Sequence, residues 1–267
     1  MSGDLQVFCW LGSDSMCLDD PNVAACGDVV IGRYGGSKEN GAIKNEDGAL
    51  VFYSNDWEFA AILDAHYTAQ SASLVLEKLQ EQQGRVSDIL VQPVAHAFPL
   101  LHKHMFDLFN SSSFRTDARR IYGETAVLMC ARKGRFVWWF CIGDCMVYLL
   151  HPELAALGQY ALNQRSFYEW VGHVNTFELP IPCYSSGVRE LRGGENTIVM
   201  ITDGLLEYNS SLFQNSDYLY QHFTAKDDLQ ESIHNSLEQV HDGKGVNSAT
   251  IIAWKCEVQE PVSYPSG

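Results

Sequence analysis

The sequence predicts a single α+β domain, and three observations carry that expectation. Strand-length apolar runs recur at residues 28–34, 49–53, 59–64, 125–151, 197–202 and 250–258. Two blocks of helical periodicity are set between them, one after residue 68 reaching 110 and one over 211–241. No linker, repeat or low-complexity segment interrupts the chain. The expected layout is an N-terminal extension at 1–27 packed on an edge, a domain at 28–258 and a short tail at 259–267.

Composition narrows the class. The chain has 267 residues, 46% of them hydrophobic, which is ample for a sizeable core. A formal charge of −15 with 18 Lys and Arg argues against a nucleic-acid backbone or an anionic membrane as partner, and favours cation binding. No apolar stretch reaches membrane-span length, and no basic segment followed by an apolar one opens the chain, so a soluble, cytoplasmic protein is expected. Eight cysteines are scattered without a CxxC pair, several inside apolar runs, and read as reduced thiols packed like small hydrophobes.

Taken in order, residues 1–26 are rich in Asp, Gly and Ser and read as irregular. A β-branched run at 28–34 gives a first strand. The loop from Gly35 to Gly41 lacks the GK[ST] ending and following helix of a phosphate-cradling P-loop. Glu46 and Asp47 then precede a strand at 49–53. The next run, Phe59-Ala60-Ala61-Ile62-Leu63, ends in Asp64, with His66 two residues on. If that strand is central, nothing solvates Asp64, and its charge needs a cation or hydrogen bonds.

Ser71, Leu74, Val75, Lys78 and Leu79 mark a helix ending near Gly84, and Ser87 with Asp88 reads as the cap of a second helix running toward Asn110. Pro93 and Pro99 are expected to kink or interrupt it. His102 and His104 are two apart and lie on different helix faces, so they do not converge as ligands. Three short strands follow at 125–131, 135–142 and 146–151, joined by hairpin-type turns at Lys133-Gly134 and Gly143-Asp144. The segment 152–195 mixes Pro, Gly and aromatics and yields no assignment. Ile198-Val199-Met200-Ile201 then repeats the earlier pattern, a buried strand closed by Asp203-Gly204. Helical segments near 211–223 and 226–241 and a last strand at 250–258 complete the chain.

Carboxylates thus recur at strand ends: Glu46 and Asp47, Asp64, Asp144 and Asp203. Oxygen donors without a Cys or His cluster select hard cations such as Mg²⁺ or Mn²⁺. Two such ions about 3.5–4 Å apart, sharing a carboxylate and a water, form a known hydrolytic device. The order of motifs resembles the metal-dependent PPM/PP2C family of serine/threonine phosphatases. Asn45-Glu46-Asp47 is similar to that family's N-E-D stretch, Asp64-Ala65-His66 to D-G-H, and Gly123-Glu124-Thr125-Ala126 to the G-S/T-T-A entry into the middle strands. Gly143-Asp144-Cys145 resembles G-D-S, Thr202-Asp203-Gly204 resembles S/T-D-G, and Asn247-Ser248-Ala249-Thr250 resembles the closing D-N-x-T. Each motif is weak alone, but six in order over residues 28–256 are fairly specific.

The resemblance implies an α-β-β-α sandwich, two antiparallel sheets flanked by helices, with two Mn²⁺ or Mg²⁺ ions and a third held weakly. It implies that Asp64 bridges both ions, that the Ala65 carbonyl and Glu46 or Asp47 complete one site, and that Asp203 and Asn247 hold the other. It assigns Asp144 to the third ion and His66 to general acid catalysis, with phosphoserine or phosphothreonine in a protein as substrate. Three positions depart from the family pattern. Ala65 replaces a Gly, Asn247 replaces an Asp, and Ala42 stands where a phosphate-binding Arg is usual, leaving Lys38, Lys44 or Arg33 as substitutes. An active phosphatase is the expected function. The alternatives are a weakened or inactive phosphatase-fold regulatory protein and a small-molecule phosphoesterase.

Overall fold

Residues 5–209, 211–226 and 228–264 are described in the structure, a computed structural model. Residues 1–4 of the expected extension and 265–267 of the expected tail lie outside them. The strands are β1 (Gln6–Leu11), β2 (Asn22–Cys26), β3 (Val29–Tyr34), β4 (Gly48–Ser54), β5 (Trp57–His66), β6 (Glu124–Lys133), β7 (Phe136–Ile142), β8 (Met146–Leu150), β9 (Val171–Gly172), β10 (Ser185–Glu190), β11 (Gly194–Ile201) and β12 (Ala249–Val258). The helices are α1 (Gln70–Glu81), α2 (Gln83–Leu90), α3 (Val94–Asn110), α4 (Ser112–Ala118), α5 (Pro152–Ala155), α6 (Gly204–Glu207), α7 (Ser216–Thr224) and α8 (Leu229–Asp242).

Why β4 and β5 read as continuous apolar runs is evident from their neighbours. They sit inside a sheet ordered β1-β4-β5-β6-β7-β10, with β9 added to β6, and this sheet is covered on both faces. Phe59, Ala61 and Leu63 of β5 pack with α1 to α4, in a core that includes Leu79, Leu101 and Phe109. Ala60 and Ile62 point the other way, to Met200 and Ile252 of a second sheet ordered β2-β3-β12-β11-β8. The far face of that sheet, with Val199, Ile201 and Ile251, packs on α6 to α8 through Leu205, Phe223 and Leu237. All pairings between strands are antiparallel. The result is four layers in the order helix, sheet, sheet, helix. Among the described residues no helix is long and apolar enough to cross a membrane.

Several local expectations are corrected. The N-terminal segment read as irregular contains β1 and β2, which form one edge of each sheet by pairing with β4 and β3. Ser87 is not a helix cap: it lies inside α2, whose buried face of Val86, Ile89 and Leu90 outweighs a local capping preference. Pro93 precedes α3, while Pro99 sits within it and is tolerated because Ala97, Phe98, Leu101 and Met105 are buried along one side. The turn at Gly143-Asp144 is not a hairpin. β7 belongs to one sheet and β8 to the other, so the chain crosses between sheets there. Gly143 has φ +94°, and a Cβ at this position would lie 2.6 Å from the Ala126 Cβ, so the crossing requires glycine. In the segment left unassigned, β9 and β10 extend the larger sheet.

Candidate active site

One end of the sandwich collects the acidic residues, because strands of opposite direction in both sheets begin or finish there. Asp64 stands near the end of β5, Asp203 just beyond β11, Asp47 just before β4, and Asn247-Ser248 just before β12. Asp144 occupies the crossing from β7 to β8. The ends of β11 and β12 are locked together. Thr250 N–H donates to Thr202 Oγ1 at 2.9 Å, and a Cβ on Gly204 would come within 1.8 Å of the Ser248 carbonyl oxygen. A cleft of about 360 Å³ opens at this end, lined by Ala42, Lys44, Glu46, Asp64, Ala65, His66, Tyr67, Asp203, Asn247 and Ser248 among others.

The structure separates two carboxylates that the sequence offers as neighbours. Glu46 lines the cleft and pairs with Lys44 at 2.5 Å. Asp47 is fully buried beneath it. Its carboxylate accepts from Thr250 Oγ1 at 2.7 Å, Ser248 Oγ at 2.8 Å and Thr202 Oγ1 at 3.3 Å, so it ties β4 to the ends of β11 and β12 in the other sheet. Burial pushes the Asp47 carboxyl up to about 6, against the pull of those hydroxyls.

Asp64 is only 6% exposed, and its Oδ2 is buried without any hydrogen-bond partner. Burial holds its carboxyl well above the usual carboxylate range, with the charges of Asp47 and Asp203 adding to the effect. Asp203 is raised by burial too. His66 is exposed at the end of β5, its Nδ1 3.9 Å from Asp64 Oδ1. Ala65 remains within β5, paired with Thr125, so the extended backbone tolerates the Cβ that replaces the expected glycine.

The phosphate-binding candidates part company. Lys44 stands at the cleft wall, where its Nζ also donates to the Tyr67 carbonyl at 3.2 Å. Arg33 lies over the rings of Phe8 and Trp10 and donates to Asn22, and Lys38 pairs with Asp19 at 3.5 Å; neither lines the cleft. Asn247 lines the cleft, whereas Asp242, the nearest carboxylate before it in the chain and so the other candidate to close the site, lies at the end of α8 beside a separate groove. No motif or periodicity marks Arg165, which bonds Asp144, Asp203 and Glu207 from within the unassigned segment. The three hydroxyls around Asp47 were open to detection, since they belong to the T-D-G and N-S-A-T motifs.

These residues suit a hard divalent cation on one side of the cleft. Donors are all oxygen, Asp64 carries an orphaned buried oxygen, and its carboxyl and that of Asp203 are raised by burial first and by neighbouring carboxylates second. No group of three or more His, Cys, Asp and Glu side chains among the described residues is arranged to hold an ion as it stands. Lys44 and Arg165 instead engage Glu46, Asp144 and Asp203.

No family model matches the sequence, and no curated protein does either. Solved structures do match. A bacterial serine phosphatase bearing an R161A mutation is 12% identical, with a TM-score of 0.68 over 89% of this chain and 100% of its own. The serine/threonine phosphatase Stp1 from Staphylococcus aureus is 13% identical, with a TM-score of 0.65 over 86% of this chain and 95% of its own. RsbX in complex with magnesium is 12% identical, with a TM-score of 0.55 over 88% and 100%. At such identities the likeness is one of fold, and the chain has the two-sheet, helix-flanked fold of the PP2C-type serine/threonine phosphatases.

Proposed function

We propose that this protein is a metal-dependent phosphatase that hydrolyses phosphoserine or phosphothreonine in proteins. The observation that carries the reading is the buried, unpartnered Asp64 Oδ2 at the floor of a cleft flanked by His66, Lys44 and Asp203, on a phosphatase fold. Asp64, the Ala65 carbonyl and Glu46 would hold one Mn²⁺ or Mg²⁺, and Asp64, Asp203 and Asn247 another. When bound, such ions activate a water and neutralise phosphoryl oxygens.

The chain's own groups supply the remainder. Lys44, on the cleft wall, offers its ammonium to the substrate phosphate in place of the arginine that Ala42 lacks, releasing Glu46 as it does so. His66, exposed at the strand end, holds a proton for the departing serine or threonine oxygen. Asp47 keeps Ser248, Thr202 and Thr250 in register below. The cleft is open enough for a phosphorylated side chain displayed on a protein segment.

A second reading, a weakened or silent phosphatase-fold binding protein, draws support from the neutral Asn247, the missing arginine at Ala42, and the engagement of the carboxylates by Lys44 and Arg165. The deciding experiment is Mn²⁺-dependent hydrolysis of a phosphoserine peptide and of an aryl phosphate by the purified protein. Turnover that EDTA removes and Asp64→Asn eliminates is expected. Mn²⁺ binding without hydrolysis of either substrate leaves the binding-protein reading in its place.

A further inference from the structure

The acidic end of the cleft holds a cation that the proposed reaction does not use. Arg165 lies in the connection between β8 and β9. One guanidinium nitrogen, Nη2, is 2.5 Å from Glu207 Oε1, 3.2 Å from Asp144 Oδ2 and 3.5 Å from Asp203 Oδ2. The ring of Phe167 lies 4.8 Å from the guanidinium carbon.

This placement is built rather than incidental. Two residues before it, the buried Asn163 accepts from Val147 N–H at 2.9 Å and donates to the Cys145 carbonyl at 2.8 Å. One residue after it, Ser166 N–H donates to the Gly143 carbonyl at 3.0 Å. Both anchors grip the crossing that carries Asp144, so Arg165 is delivered to Asp144 by the Asn163 side chain before it and the Ser166 backbone after it. The Arg165 side chain is 23% exposed, which shields these pairs more than a fully exposed ion pair.

A guanidinium and a divalent ion draw on the same carboxylate lone pairs, and their positive charges repel each other when both crowd one edge. Asp203 faces the cleft, where the proposed function gives it an ion to hold, and Arg165 already engages its Oδ2 together with Asp144. We propose that Arg165 is an intramolecular cation that competes with divalent metal for the Asp144–Asp203 edge. While it is engaged, the negative charge of that edge is partly offset without metal and binding favours the Glu46–Asp64 side. Displacing it is a cost that the second ion must meet, so occupancy at this edge shifts to higher metal concentration. This inference rests on the metal-binding part of the proposed function.

The test is calorimetric titration of Mn²⁺ into wild type, Arg165→Gln and Arg165→Lys, with thermal melts of each in EDTA. Arg165→Gln should bind one more Mn²⁺ per chain, or bind the weaker ion about tenfold tighter, a size typical of groups that tune metal ligands without being ligands. In EDTA it should melt roughly 2–4 °C lower, because the carboxylates lose their counter-ion, and saturating Mn²⁺ should raise its melting point more than that of wild type. Arg165→Lys, with the charge on a single point, should fall between them. Equal stoichiometry and affinity in wild type and Arg165→Gln overturn this inference alone. Absence of Mn²⁺ binding in every variant overturns it together with the metal dependence proposed above. Binding that appears only in Arg165→Gln supports the competition and removes the metal dependence of the wild-type protein.

Discussion

Asp47 and Asp64 are two buried carboxylates at the same end of the same sandwich, and they live in opposite ways. Asp47 accepts from three hydroxyls and closes the ends of two sheets upon each other. Asp64 Oδ2 meets no donor, and its carboxyl faces that of Asp203, a second acceptor. A buried polar atom left unpaired costs about 1–3 kcal/mol, and more when charged, so the fold carries a liability at Asp64 that it avoids at Asp47. Such a cost persists where the group has work to do. The comparison separates a carboxylate that holds the structure together from one that waits for a cation.

The sharpest way to break that comparison is to neutralise Asp64. Asp64→Asn should take phosphatase activity to background and nearly remove Mn²⁺ binding, yet in EDTA its denaturation midpoint should equal or exceed wild type, because an uncompensated buried charge has gone. A variant that unfolds while its metal affinity survives would make Asp64 the structural member of the pair.

Next in size is the imidazole beside it. His66→Gln should slow alkyl phosphate hydrolysis by a factor on the order of 10²–10⁴, and aryl phosphates with good leaving groups much less, since these leave without a proton. Equal losses for both substrates would make His66 a structural residue.

Asp47 should behave as the mirror image. Asp47→Ala strands the hydroxyls of Thr202, Ser248 and Thr250, and a loss of about 3 kcal/mol is expected in urea denaturation. Its titration has a defined sign. The folded carboxyl, at about 6, lies above its ordinary value of 3.8, so the folded chain binds the extra proton between those values. The stability this proton contributes is complete below pH 4 and is lost as pH rises through 6. Wild type in EDTA should therefore be more stable at pH 5 than at pH 7, by about 1 kcal/mol from Asp47 alone, with Asp64 and Asp203 pulling in the same direction. Asp47→Asn should flatten the slope. Stability that rises from pH 5 to pH 7 would contradict the assignment.

The smallest expected effect concerns Asn247, which lines the cleft with a neutral amide. Asn247→Asp restores a charge at nearly constant volume and should tighten Mn²⁺ by about tenfold, with a higher rate at limiting metal. No change in either quantity would place Asn247 outside the metal's reach.

Much of this molecule is legible in its sequence, for a reason that Asp64 and Asp203 make plain. A strand buried on both faces must be apolar along its length, so a carboxylate at its end is conspicuous without knowledge of what surrounds it. The same local physics marks β4, β11 and β12 and the Lys133-Gly134 hairpin. It misleads at Ser87, where a capping residue is outvoted by the buried face of α2, and at Gly143-Asp144, where one turn composition serves a hairpin and a crossing equally well.

What the tertiary structure alone decides is which like residues meet. Glu46 and Asp47 are adjacent in the chain, yet on the approach to β4 one lines the cleft and the other is buried among hydroxyls from the ends of β11 and β12. Lys44 reaches the cleft while Arg33 and Lys38 are engaged elsewhere. Arg165 meets Asp144, Asp203 and Glu207 across separations of 21, 38 and 42 residues, from a segment with no periodicity at all. Hydrophobic patterning reports whether a residue faces a core or water. A single cation placed among distant carboxylates leaves no period in the sequence, because its partners are fixed by chain crossings and sheet order rather than by its neighbours.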